Sequence, residues 1–273
     1  MHTVAARAGL VAPALLLLAM FFVLPVVAVG VDAFREGTAS FRRVFAISGI
    51  GGDLAGSLLL TLVASSVSTA IGLGVALHLS RLRQGVRTAL SFVIALPLTF
   101  SGLIVAYGFI LGYGRAGFVT QLLAFAGFDP ATLGGALFTP LGVAFASSYY
   151  LIPRVVIGLL PVLVNFDRAQ LAAAESLGAT GAQAFRDVLL PQVAAPVVAS
   201  FCLVAAVVFG AYGTALALVG TRLPILPLRL YSLISESGSD FPAAAALALL
   251  ITAVCSSMLT IGEWIGGRHA RHL

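Results

Sequence analysis

Apolar runs of about 20 residues recur along this chain, long enough as helices to cross the roughly 30 Å hydrocarbon layer of a bilayer. Between them lie stretches that hold most of the charge. Of the 273 residues, 60% are hydrophobic and only 9% are charged, where a soluble domain carries about 25% charged residues. In lipid the backbone must satisfy its own hydrogen bonds. Helices do so, whereas a barrel would need alternating strands of about ten residues, a pattern missing from this sequence. The pattern predicts an all-α integral membrane protein, with residues 1–273 forming one transmembrane domain. Six spans are expected, at 10–31, 57–80, 90–113, 136–162, 193–219 and 241–264. Arg7 precedes the first run, which exceeds the apolar core of a signal peptide and ends without a small-residue cleavage site. It reads as an uncleaved first helix.

The formal net charge of +5 does not point to nucleic acid, because the arginines sit mostly at segment ends, where they orient helices. With the N-terminus inside, the inner segments hold Arg7, Arg81, Arg83, Arg87, Arg168, Arg186, Arg268 and Arg271. The outer ones hold Arg35, Arg42, Arg43, Arg115, Arg222 and Arg229. The cluster Arg81, Arg83 and Arg87 in a very short loop weighs most, and it places both termini in the cytoplasm. Cys202 and Cys255 lie in apolar segments and read as packed thiols. His2, His78, His269 and His272 lack a metal-ligand spacing.

Several intramembrane features admit two readings. Ser57, Thr61, Ser65 and Thr69, followed by Gly72 and Gly74, recur at small-residue spacing. They allow close helix packing or line a polar path. Arg154 follows Tyr149, Tyr150 and Pro153; it faces a substrate anion or pore water, or it reaches the cytoplasmic interface. Tyr107, Tyr149, Tyr150, Arg154 and Tyr212 are the pathway candidates. Prolines 97, 140, 153 and 161 free backbone carbonyls at helix breaks or merely kink the helices. On the outer side, Phe118, Leu122, Leu123 and Phe125 mark a short interfacial helix. Residues 220–240, with Pro224, Pro227 and an apolar stretch at 228–234, either receive a partner or cap the bundle.

The most distinctive segment is polar: DRAQLAAAESLGATGAQAFRDVLLP, residues 167–191, between the fourth and fifth spans. Asp167 and Gln170 fit an N-terminal capping pair, and Gly178 fits a left-handed C-cap. Thr180 and Gln183 fit a second capping box. Phe185, Val188 and Leu189 share one helix face. Pro191 falls where a missing N–H costs little. The prediction is a helix, a glycine turn and a second helix lying across the cytoplasmic end of the bundle. Ala172 and Ala173 give the first helix a small face that another backbone can approach. The alternative is an amphipathic linker with no partner.

This segment resembles the cytoplasmic loop of permease subunits from binding-protein-dependent ABC importers. That family pattern is Glu-Ala-Ala, three residues, Gly, nine residues, Ile-x-Leu-Pro. Ala173, Ala174, Gly178, Leu190 and Pro191 match it, Val188 stands for the isoleucine, and Ala172 takes the place of the glutamate, with Glu175 nearby. The resemblance implies the six-helix type I importer fold, with residues 165–192 as a coupling loop that inserts into an ATPase subunit. Residues 172–175, 178, 185, 188, 190 and 191 would carry that contact. It further implies a second permease, alike or related, two cytoplasmic ATPases and an extracytoplasmic solute-binding protein, in a bacterial plasma membrane. Residues 210–236 look like the matching stretch of permeases for polyamines, aminophosphonates, ferric ion and thiamine.

The chain contains no lysine, and a phosphate-binding P-loop needs one. ATP and Mg would therefore sit on the partner ATPase, and this chain would bind no cofactor or metal of its own. Gly-x-Ser-x-Gly, His-Glu-x-x-His and Cys-x-x-Cys do not occur, so an enzyme is not expected. An ion-coupled secondary transporter or a channel is the competing class; the former usually carries acids at mid-depth, which the expected spans lack.

Overall fold

The computed structural model describes residues 13–235 and 240–269, and every regular element among them is helical. Arg7, the beginning of the first apolar run, His2, Glu236, Arg271 and His272 lie outside the described residues. Helix α1 covers Pro13–Phe34, α2 Ala39–Ala46 and α3 Ile50–Ser80. Next come α4, Gln84–Ala95, α5, Gly102–Tyr113, α6, Phe118–Ala124, and α7, Pro130–Ala136. The long α8 runs Pro140–Asn165. The polar segment contributes α9, Ala169–Ser176, and the start of α10, Gly181–Gly210. The chain closes with α11, Gly213–Val219, α12, Leu226–Ser235, and α13, Phe241–His269.

Six stretches are long and apolar enough to span a bilayer. Helix α8 is central: Leu151, Val155, Val156 and Leu159 are almost fully buried between α3 and α10. Ser57, Thr61, Ser65 and Thr69 are buried in α3. A Cβ on Gly72 would lie 2.6 Å from Cβ of Val155, so this small-residue row serves close packing. A second cluster joins α13 to α1, α2, α10 and α12 around Phe209, Leu226, Ala246 and Leu247. Helix α1 leans on α13 and turns nearly all its apolar side chains outward, as a helix does when its solvent is lipid.

Two expected spans are broken. The apolar run 90–113 divides at Phe100 and Ser101, which are extended. Pro97 sits in a short 3-10 turn, Leu96–Thr99, where a residue without an N–H ends the regular bonding. Ser101 then restarts the chain as an N-cap, accepting the Ile104 amide. The spanning stretch moves accordingly to Gly102–Ala124, which takes in α6, Phe118–Ala124, the helix that falls within the 117–128 stretch expected to lie at the interface. The run 193–219 divides at Ala211, also extended. Of the other prolines, Pro140 occupies the first turn of α8, while Pro153 and Pro161 lie inside it without interrupting it.

The connection at 220–235 packs on the bundle. It folds back, with α12 bent 75° from Gly213–Arg222, and it is fastened to the first turns of α3. Helix α3 begins at Ile50, seven residues before the expected Ser57, after Gly49 in the left-handed region (φ 89°). Asp53 is buried and accepts from Nε of Arg229 at 2.7 Å. The Leu226 amide donates to Oγ of Ser57 at 2.8 Å. Gly56 lets Pro224 pass: a Cβ there would lie 2.0 Å from the Pro224 carbonyl oxygen. Asp53→Asn should destabilise the protein by about 2 kcal/mol, the scale of a hydrogen bond to a charged partner. Gly56→Ala should displace the 224–235 segment. Lower unfolding midpoints in detergent for both variants are expected; unchanged midpoints would contradict the fastening.

Candidate functional site

The polar segment folds by local hydrogen bonding. Oδ1 of Asp167 accepts the Ala169 amide at 2.9 Å, starting α9. The expected box with Gln170 does not close, because the Gln170 side chain accepts instead from Nε2 of Gln192 at 2.6 Å. At the other end Gly178 has φ +92°. Its amide donates to Glu175 O, and the Ala179 amide to Ala174 O. That is the paired bonding of a Schellman cap, which requires the left-handed residue. Thr180 and Gln183 form a complete capping box. Arg168 ties the segment to the end of α3, donating to the Ser80 carbonyl at 2.8 Å.

The second short helix does not end at Pro191. It opens into a π turn, Phe185–Leu189, and continues to Gly210. A proline at 191 cannot donate to the preceding turn and crowds it; widening that turn relieves both problems. Phe185 and Val188 are half-buried and Leu189 is buried, facing the bundle, while Leu190 and Pro191 are exposed. On α9, Ala172, Ala173 and Glu175 are exposed and Ala174 is half-buried. Leu177, at the tip beside Gly178, is 90% exposed.

The far end of α10 reaches a second feature. The two helix breaks meet: Oγ1 of Thr214 donates to the Gly102 carbonyl at 3.1 Å. Glycine at 102 permits this approach: a Cβ there would stand 2.6 Å from that hydroxyl oxygen, which would have to move. Beside this contact lies a cavity of about 460 Å³, whose lining includes Phe100, Ser101, Tyr150, Arg154, Gly210 and Tyr212. Tyr150, Arg154 and Tyr212, three of the pathway candidates, are thus brought together. The other two are not. Tyr149 points away, into an aromatic group with Phe109, Tyr113 and Phe145. Tyr107 lies on α5 and is 56% exposed. Arg154 stands near the middle of α8 and lines the cavity.

Ser101, Thr214 and the Asp53–Arg229 pair were not among the expected site residues. A serine followed by glycine after Pro97, and the run Gly-Ala-Tyr-Gly at 210–213, were the available signals. Among the described residues no group of three His, Cys, Asp or Glu could hold a metal ion.

Comparison with known proteins agrees with this architecture. Residues 67–271 match the family of binding-protein-dependent transport system inner membrane components, and the chain belongs to that family. It is 29% identical to sulfate permease 2 of the Chlamydomonas reinhardtii chloroplast, aligned over 88% of this chain and 63% of that protein. It is 31% identical to the sulfate transport system permease protein CysT of Salmonella typhimurium, over 80% of this chain and 76% of that one. The spermidine/putrescine permease protein PotB of Salmonella typhimurium is 26% identical over 75% and 71%. A chain from the crystal structure of a bacterial alginate ABC transporter in complex with alginate pentasaccharide-bound periplasmic protein shares the fold. Its TM-score is 0.70 at 18% identity, covering 96% of this chain and 94% of that chain.

The caps make the polar segment stiff. Gly178→Ala places a side chain in the left-handed region, and Thr180→Ala removes an N-cap; each should cost about 1 kcal/mol locally. Amide hydrogen exchange is expected to accelerate across 169–184 and stay unchanged in α8. Equal protection in the variants would contradict the capping account.

Proposed function

We propose that this chain is the pathway-forming permease subunit of an ATP-driven importer, coupled to separate ATPases through its 167–191 segment. The observation that carries the reading is the continuity of α10. One helix begins in an exposed, doubly capped turn and ends at Gly210, in the wall of the cavity. A push on the turn is a push on the cavity wall. Family membership supports the reading, as does the spacing Ala173–Gly178–Val188–Leu190–Pro191.

In this reading two permease subunits, alike or related, cross a bacterial plasma membrane with both termini in the cytoplasm. Two ATPases bind ATP and Mg and receive the exposed α9, with Ala172, Ala173 and Leu177 at the contact. A solute-binding protein delivers a small polar solute on the opposite side. ATP draws the two α9 helices together, and the pathway opens outward. Alanine at 172 removes one carboxylate from the contact and leaves the helix intact. Relatives bear names for sulfate and for polyamine transport, so kinship alone does not set the sign of the solute's charge.

Uptake by the reconstituted complex tests the assignment. Transport should require ATP and stop without the ATPase subunits. Gly178→Pro forbids the Schellman bond and the positive φ, and Ala173→Glu places a charge on the small face. Both should leave ATP hydrolysis running while uptake falls by about tenfold or more, as expected when a coupling free energy above about 1.4 kcal/mol is lost. Uptake driven by an ion gradient from this chain alone, or wild-type uptake by both variants, would overturn the assignment.

A further inference from the structure

We infer that the cavity where the helix breaks meet is an anion site, in which Arg154 takes a sulfate- or phosphate-like oxyanion. The inference rests on the permease reading and adds the sign and shape of the solute. Arg154 makes no ion pair or hydrogen bond among the described residues, and its Nε is shielded from solvent with no hydrogen-bond partner. Among the described residues the cavity wall contains no carboxylate. Arg154 is half-buried, and the end of its helix at Asn165 is 11 residues further on, about 16 Å at 1.5 Å per residue.

An uncompensated guanidinium inside a helix long and apolar enough to span a bilayer is costly, and such groups mark pathways or partners. The remaining polar groups of the wall suit an anion. Oγ of Ser101 accepts from the Ile104 amide, which leaves its proton free to donate into the cavity. Tyr212 adds a phenolic hydroxyl, its ring stacked on Tyr231 at 6.1 Å. Helix α5 begins in the same wall, so the positive end of its dipole reinforces Arg154. Thr214 spends its proton on Gly102, and the Tyr150 hydroxyl lies 3.4 Å from that Thr214 oxygen; these two hold the wall. A planar guanidinium with flanking neutral donors matches a tetrahedral oxyanion, and it repels a polyamine.

The test is equilibrium binding to the purified complex, without ATP, in a phospholipid-free detergent. Sodium sulfate, sodium phosphate and spermidine are the probes. Sulfate or phosphate should bind saturably to wild type, and Arg154→Gln should weaken that binding at least about tenfold, the loss of one charge-assisted hydrogen bond. Arg154→Lys, which keeps the charge, should stay closer to wild type and so separates charge from packing. Adding short-chain phosphatidylglycerol distinguishes a lipid headgroup from a free oxyanion, and no competition is expected. The inference would be overturned by absence of saturable anion binding to wild type, by equal binding to Arg154→Gln, by competition from the lipid, or by preference for spermidine. Because no ATP is present, such a failure would leave the uptake test of the permease reading untouched.

Discussion

Two interruptions in the helical backbone can persist inside an apolar bundle only because they face each other. An extended residue in a membrane strands carbonyl and amide groups that a helix would have paired, and lipid offers them no partner. Here the Thr214 hydroxyl donates to the Gly102 carbonyl, Ser101 caps the first turn of α5, and the glycine at 102 allows the approach. The cavity follows from that contact. Straight helices through 90–113 and 193–219 would fill the space with side chains. Broken ones turn Ser101, Tyr212 and backbone toward Arg154.

The rest of the bundle holds this pair of breaks in register. Helix α8 carries Tyr150 and Arg154 and is gripped by α3 and α10. The Asp53–Arg229 pair and the Pro224 contact with Gly56 fasten the segment that follows α11, so the second break is anchored on its far side. Helix α10 reaches the break from the other direction, and its origin is the capped polar turn. Rigidity is the shared property. The Schellman cap and the capping box give the turn one shape, and the helix beyond it runs unbroken from its π turn to Gly210.

The sequence showed what is local. Capping at Gly178 and at Thr180 with Gln183 uses groups within a few residues, so residue type and spacing suffice to read it. Spans without breaks were legible from apolar run length. What escaped was set by partners distant in the chain. Gln170 was expected to cap its own helix but is held by Gln192, on the next one. Asp53 and Arg229 are far apart in sequence, and no local pattern announces their pairing. The breaks at Phe100 and Ala211 interrupt runs that remain apolar throughout, so hydropathy passes over them. Arg154 was visible as an odd residue, but its environment depends on which helices stop beside it.

In the proposed mechanism the exposed turn governs the cavity wall through α10. Its most direct test is a single reporter in that wall: Ala211→Cys in a complex whose Cys202 and Cys255 are replaced by serine. Its reaction rate with a membrane-impermeant thiol reagent is measured from the side opposite the polar turn. The claim predicts a higher rate when the ATPases hold a non-hydrolysable ATP analogue than when they are empty. Equal rates in the two states would contradict it.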